Sequence, residues 1–397
     1  MKKVYIIGTC DTKYAELSYA KELLTKAGAE CALVDVGILG HNNAVDIPHT
    51  EVAKHHPSNP GFLSAGLDRG SAVTAMSEAL EVFLLTRGDV GGVLGMGGSG
   101  NTALVTRGMR ALPVGLPKLM VSTVASGNTA PYVGATDICM MASVADVAGL
   151  NPVSRAVLGN AAHAMAGMVK STVPAAAEDK PLLGMTMFGV TTPCVTRLRE
   201  IFEHEYEPLI FHATGVGGQC LEKLIDSGML KRVIDVTLTE VCDLFMDGVM
   251  SAGPDRLGAI ARTGLPYVGS LGALDMVNFS AIVPEKYKGR NLYVHNANVT
   301  LMRTTPRENE EIGRWIGEKL NRCEGEVRFL IPEGGVSAID APGQPFYDPE
   351  ADKALFDSLE ASVKQTVRRK IIRLPHHIND PAFAAALAEQ LRSITNT

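Results

Sequence analysis

The residues with the most chemical potential stand just after apolar runs. In Gly95-Met-Gly-Gly-Ser-Gly-Asn-Thr102, residues Gly95, Gly97 and Gly100 meet the spacing G-x-G-x-x-G between an apolar stretch and a helical one. Glycine lets backbone amides approach a phosphate or carboxylate with no Cβ in the way, and a helix N-terminus behind adds roughly half a positive charge. Gly98 belongs to the same loop, and Ser99 and Thr102 add hydroxyls. Two features depart from known fingerprints. About 20 residues beyond Gly100, where a dinucleotide fold places its ribose-binding acid, the chain reads Leu119 to Ser122, and no Lys-Ser/Thr pair of a P-loop follows the glycines. The plain alternative is a tight turn whose glycines serve packing alone.

A second candidate is Gly8-Thr9-Cys10-Asp11-Thr12-Lys13. Thr9 and Thr12 offer hydroxyls, Lys13 a positive charge, and Asp11 a ligand for a metal-bound water or a helix cap. Asp35, 27 residues after Gly8, is placed like a ribose-binding acid or like a simple turn residue before Gly37. A third loop runs from Ser122 and Thr123 to Ser126 and Gly127. Each of its residue types is ordinary in loops.

In the second half, His212-Ala-Thr-Gly-Val-Gly-Gly218 repeats the strand-to-glycine arrangement with a histidine at the strand end. Glu240, His295, Glu333, His376, His377 and Asp380 also follow strands, with Asp340, Asp348 and Asp352 downstream of Glu333, so polar groups are expected to converge on one rim. His212 with Glu240 or Glu333 would suit an acid–base pair, although a lone strand-end histidine is often structural. No H-x-H or H-E-x-x-H spacing occurs, so no histidine metal site is expected, and no G-x-S-x-G elbow marks a serine hydrolase.

What must position these groups is a chain of 397 residues, 46% hydrophobic and 20% charged, which suits two cores better than one. Apolar strands near 4–7, 31–34, 91–94 and 119–121 alternate with helices near 13–27, 71–86 and 153–169. After a linker at Pro174–Pro181 the pattern restarts, with strands near 182–187, 208–211, 233–236, 292–295, 328–331 and 371–374. The expected fold is α/β, with a doubly wound parallel sheet in each of two subdomains, residues 1–180 and 181–397, and the restart suggests a diverged duplication. Residues 49–61 are expected as a surface loop. A net charge of −6 without a basic stripe excludes a dedicated nucleic-acid surface. Seven widely spaced cysteines, no apolar run of spanning length and no signal-peptide core point to reduced thiols, no membrane and a cytoplasmic location.

Ile6-Ile-Gly-Thr-Cys-Asp-Thr-Lys13, the Gly95 loop, the His212 loop and Ile331-Pro-Glu-Gly-Gly-Val-Ser-Ala-Ile-Asp340 together resemble the ATP-binding domain family named after the tomato mosaic virus resistance protein. The resemblance spans nearly the whole chain. It implies two Rossmann-like subdomains, ATP in the N-terminal one, and a homodimer. The plant relative carries an extra C-terminal barrel similar to phosphoenolpyruvate hydrolases; this chain lacks it, which leaves a separate barrel-type partner as an expectation. Three functions stay open. One is an ATP-dependent or ATP-regulated enzyme of small-acid metabolism, with Mg²⁺ near Asp11 and protons moved by His212, Glu240 or Glu333. Another is a non-catalytic module with ATP as structural effector. The last is an oxo-acid hydrolase or lyase whose glycine loops hold carboxylate.

Overall fold

A computed structural model describes residues 2–171 and 180–395. They fall into two compact units, Met1–Ala175 and Ala176–Thr397. The expected linker lies, apart from Lys180 and Pro181, outside the described residues.

The first unit runs β1 Lys3–Gly8, α1 Tyr14–Lys26, β2 Cys31–Asp35, α2 His49–Ala53, α3 Arg69–Thr86, β3 Val90–Gly97, α4 Ser99–Ala111, β4 Lys118–Ser122, α5 Ala130–Val133, β5 Cys139–Ala142 and α6 Pro152–Lys170. Its five strands lie parallel in the order β2-β1-β3-β4-β5. Residues of β1, β3 and β4 alternate between two dry faces, which is why these strands read as continuous apolar runs, whereas edge strand β5 is largely exposed. Val4 and Ile6 join one core with Leu17 and Leu24 of α1 and Ala161 and Met165 of α6. Tyr5 and Ile7 join the other with Leu80 and Phe83 of α3 and Val105 and Met109 of α4. Helix α6 starts at a capping box, the Asn151 side chain accepting from the Ser154 amide while Ser154 Oγ accepts from Asn151 N, with Pro152 in the first turn.

The second unit runs β6 Leu182–Met187, α7 Thr192–Phe202, β7 Glu207–His212, α8 Val216–Asp226, β8 Val233–Thr237, α9 Thr239–Met246, α10 Ala259–Thr263, β9 Tyr267–Gly272, β10 Met276–Ser280, β11 Leu292–Asn296, β12 Val299–Arg303, α11 Pro306–Asn321, β13 Val327–Pro332, α12 Pro349–Ser362, β14 Arg369–Leu374 and α13 Pro381–Thr395. Six strands form a parallel sheet in the order β14-β13-β9-β8-β6-β7. Counted within the unit, both sheets have the same order from the edge: second strand, first, third, fourth, fifth. The fold is therefore α/β with two Rossmann-like parallel sheets.

Three expectations are corrected. The strand carrying His295 belongs to a separate antiparallel sheet, β10-β12-β11, so His295 and Asn296 do not end a strand of the parallel sheet. Residues 49–61 are not a bare loop: α2 buries Val52 and Ala53, and His56 is buried beside Phe62 at a ring distance of 5.5 Å. The hydrophobic spacing there is too short to reveal a five-residue helix. Gly95 lies inside β3, not in the loop after it. A Cβ on Gly95 would stand 2.6 Å from Met120 Sδ and 2.8 Å from Val105 Cγ1. This glycine serves helix–sheet packing. Gly95→Ala should cost about 1–3 kcal/mol by overpacking, measured by urea unfolding, while leaving ligand affinity of the folded protein unchanged.

Candidate functional site

In an open parallel sheet ligands bind beyond the strand C-termini, at the point where the strand order reverses. In the first unit that point lies between β1 and β3, and the loops leaving these two strands are the two glycine-rich candidates. Gly97 ends β3 with φ +149°, a conformation suited to glycine, and its missing Cβ leaves room for Asn101. Asn101 Nδ2 donates to Met96 O at 2.5 Å, which fixes the loop against its own strand. Gly98 is the N-cap of α4 and no side chain caps this helix. The amides of Ser99, Gly100 and Asn101 therefore have no acceptor within the helix. Ser99 and Gly100 are exposed, and a side chain at Gly100 would meet nothing within 4 Å.

Beside the β1 loop lies a cavity of about 500 Å³. Thr9, Asp11, Thr12 and Arg69 supply its polar edge, and Val36, Ile38, Leu39, Phe62, Leu63 and Val73 its apolar walls. Thr9 and Thr12 hydroxyls lie 3.0 Å apart. Asp11 does not cap α1; the N-cap is Lys13, which makes no side-chain capping bond and does not line the cavity. Asp11 Oδ2 accepts from Leu39 N at 3.3 Å, whereas its buried Oδ1 has no partner. Arg69, at the first position of α3 behind the cap Asp68, is exposed on the cavity wall. Sequence reasoning missed it, although the Asp68 capping signal marks where that helix begins.

Asp35 has a different task from ribose binding. It is fully buried, and its four acceptor positions are all filled: Oδ1 by Cys10 N at 2.9 Å and Gly37 N at 2.8 Å, Oδ2 by His41 Nε2 and His49 Nδ1, both at 2.9 Å. Asp35, His41 and His49 present three ligand atoms within 4.8 Å of one another, the spacing of a metal site. The tautomer of His41 argues otherwise. Asn43 N donates to His41 Nδ1 at 3.1 Å, so that nitrogen is the acceptor and Nε2 carries the proton given to Asp35. A metal-bound imidazole needs the reverse. The trio is a hydrogen-bonded clamp on the segment between β2 and α2. Neither histidine has a periodic signal in the sequence.

Ser122 and Thr102 likewise turn inward. Both are buried, their hydroxyls lie 2.6 Å apart, and Thr102 Oγ1 also donates to Gly98 O. They hold α4 to β4, and Ser122 also borders the cavity beside this loop. Thr123 and Ser126 line a second cavity, of about 450 Å³, with Ser143 and Asp146. Gly127 closes a turn through its amide to Val124 O.

In the second unit the acid–base pair is not assembled. His212 is exposed at the end of edge strand β7 and packs on Phe188 at a ring distance of 5.3 Å. Glu333 follows β13, four strand positions away, roughly 19 Å at sheet spacing. Glu240 is 1% exposed and fully engaged. Its Oε1 accepts from Gly215 N at 2.7 Å and Gly218 N at 2.9 Å, and its Oε2 accepts from Arg256 Nε at 2.9 Å. Arg256, itself buried, also pairs with Asp235 at 2.7 Å through two nitrogens and with Glu222 at 3.2 Å. Burial raises the Glu240 carboxyl above its ordinary range, opposed by Arg256. At the corresponding reversal of the second unit side chains meet: Thr191 Oγ1 and Thr237 Oγ1 lie 2.8 Å apart, and Thr237 N donates to Thr186 Oγ1 at 3.0 Å.

The chain is thus a two-unit protein of the doubly wound α/β class. It belongs to the uncharacterised protein family UPF0261, whose N-terminal domain matches residues 2–174 and whose C-terminal domain matches residues 180–395. A UPF0261 protein of Rhizobium meliloti (strain 1021) is 56% identical, with 100% of both chains covered. One of Clostridium tetani is 48% identical over 98% of each chain. The ToMV resistance protein Tm-1 of Solanum lycopersicum is 41% identical over 99% of this chain but only 56% of its own length. Among the described residues no helix is long and apolar enough to cross a membrane, and all seven cysteines are free.

Glu240→Gln tests the structural role. Removing the charge leaves Arg256 Nε without its carboxylate and should cost about 2–3 kcal/mol in urea unfolding. A purely catalytic Glu240 would leave stability unchanged.

Proposed function

We propose that the first unit binds ATP in the crevice beyond β1 and β3. The observation that carries this reading is the strand order β2-β1-β3-β4-β5, which sets two glycine loops on either side of the reversal, with a cavity of about 500 Å³ between the loops that leave β1 and β2. The uncapped first turn of α4 offers amides and a helix dipole to the phosphates. Arg69 supplies a positive charge, and Ile38, Leu39 and Phe62 give the base an apolar slot. Asp11 Oδ1, buried without a donor, and the Thr9 and Thr12 hydroxyls are hard oxygen ligands that fit Mg²⁺. Bound there, the ion would neutralise phosphate charge.

A second reading keeps ATP as an effector without turnover. It is favoured by Glu240, whose carboxylate is tied on both oxygens, and by the wide separation of His212 from Glu333. An ATP-dependent enzyme of small-acid metabolism would have to draw its acid or base from elsewhere. The homodimer and a barrel-type partner belong to the same proposal, supported by family likeness alone.

Gly100→Asp separates binding from folding. An acid in the first turn favours the helix and nothing crowds the position, so thermal stability should stay level or rise. ATP affinity by calorimetry should drop at least tenfold, because the new carboxylate repels phosphate. An unchanged affinity, or no ATP binding by the parent at millimolar nucleotide, overturns the reading. Phosphate release with Mg²⁺ then decides between turnover and an effector role.

A further inference from the structure

Beyond the C-terminal end of β13 the second unit holds a cavity of about 400 Å³, bordered by Glu333, Tyr347, Asp352, Lys353, Phe356 and Arg373. We propose that this cavity binds a small organic ammonium ion, with the Asp352 carboxylate as its anchor. The inference is independent of the nucleotide reading.

Hydrogen-bonding capacity at this place is one-sided. Arg373 is already met by Asp357 at 2.8 Å, Glu360 at 2.9 Å and Glu333 at 3.4 Å, and Lys353 by Asp357. Beneath the floor, Arg303 has every donor engaged: Nε to Phe346 O, Nη1 to Thr304, and Nη2 to Asp348 O and to Asp352 Oδ1 at 2.6 Å. Each base there already has an oxygen partner, and the Lys353 side chain is largely exposed to water. The acceptors differ. Asp275 and Asp340 are fully buried, and each leaves one oxygen, Oδ1, without a hydrogen-bond donor. Asp340 Oδ1 lies 3.7 Å from Arg303, an attraction of charge alone. Three buried carboxylates thus face one guanidinium. Asp352 is the member that reaches the cavity, 5% exposed, with only Oδ1 bonded to Arg303.

A buried excess of negative charge is relieved by a proton or by a cation. An ammonium group brings both charge and donors, and the Tyr347 and Phe356 rings on the wall suit its alkyl part and a cation–π contact. When the site is empty a proton takes the cation's place: burial, and then Asp340, push the Asp352 carboxyl up to about 8 and the Asp275 carboxyl up to about 7. The groups facing Asp352 are Arg303 of β12, Asp340 after β13, Asp275 before β10, and Lys353 of its own helix. Cation binding must displace the Asp352 proton, so affinity should rise with pH and level off once that acid is ionised.

The test titrates the full chain with butylammonium and, at equal size and opposite charge, with butyrate. Butylammonium should bind and butyrate should not. Between pH 6 and 8 the affinity should rise up to about tenfold per unit, with proton release into the buffer. Asp352→Asn should weaken binding at least tenfold and abolish the pH dependence. Glu333→Gln, at the exposed rim, gives a fold-neutral variant with a smaller loss. Binding of butyrate, absence of butylammonium binding at 10-millimolar order, affinity falling with pH, or unchanged binding by a folded Asp352→Asn protein would each overturn the assignment.

Discussion

A charge removed from water has to be met by donors or by an opposite charge, and both units are organised around that demand at the C-terminal edges of their sheets. In the first unit Asp35 meets it with four hydrogen bonds, drawing together the loop after β1, the end of β2, and the segment that runs on to α2. In the second unit Arg256 meets it with Asp235, Glu240 and Glu222, which brings β8, α9 and α8 to one point. Because Glu240 also accepts the amides of Gly215 and Gly218, the same carboxylate seats the start of α8. Tyr267 adds its hydroxyl to Asp235 at 2.9 Å, which ties in β9. These contacts fix where the loops can go.

The two sheets share a strand order but treat their reversal points differently, and small residues decide it. In the first unit Gly8, Gly97 and Gly98 surround the reversal, and only Asn101 reaches across it toward β1. In the second, threonines occupy the corresponding strands and loop: the Thr191 and Thr237 hydroxyls bond each other, and Thr186 Oγ1 donates to Asp235 while accepting from Thr237 N. One cavity of that unit lies at the β13 edge, over a carboxylate group whose charge is incompletely met, and another borders the loop after β6.

Much of the architecture was legible because a strand buried on both faces cannot hide. Apolar runs such as Val4–Ile7 and Leu182–Met187 are bounded by glycine and followed by helical spacing. The exposed strand β11 had no such signature: Tyr293, Val294 and His295 face outward, so nothing in their pattern distinguished an antiparallel hairpin from a parallel strand. The glycine loops were found at the proper strand ends. What escaped detection was the use of individual side chains, since Asp35, Thr102, Ser122 and Glu240 are residue types equally able to hold a ligand or a loop. Only the identity of their partners, 14 to 25 residues away in sequence for His49, Thr102–Ser122 and Gly215–Glu240 pairs, separates the two uses.

The glycines of one motif illustrate why spacing alone cannot assign function. Gly95 is required by Met120 and Val105 on its two flanks, Gly97 by its backbone angle and by Asn101, and Gly100 by neither. A packing turn needs the first two and has no use for the third. An exposed glycine in the first turn of a 13-residue helix lowers helix stability relative to alanine, and no neighbour, turn or angle explains it here. The proposed nucleotide site would use it as an open amide surface for a bulky anion. In a protein of net charge −6, such a site would meet an anion with the positive edge of a helix rather than with a basic surface.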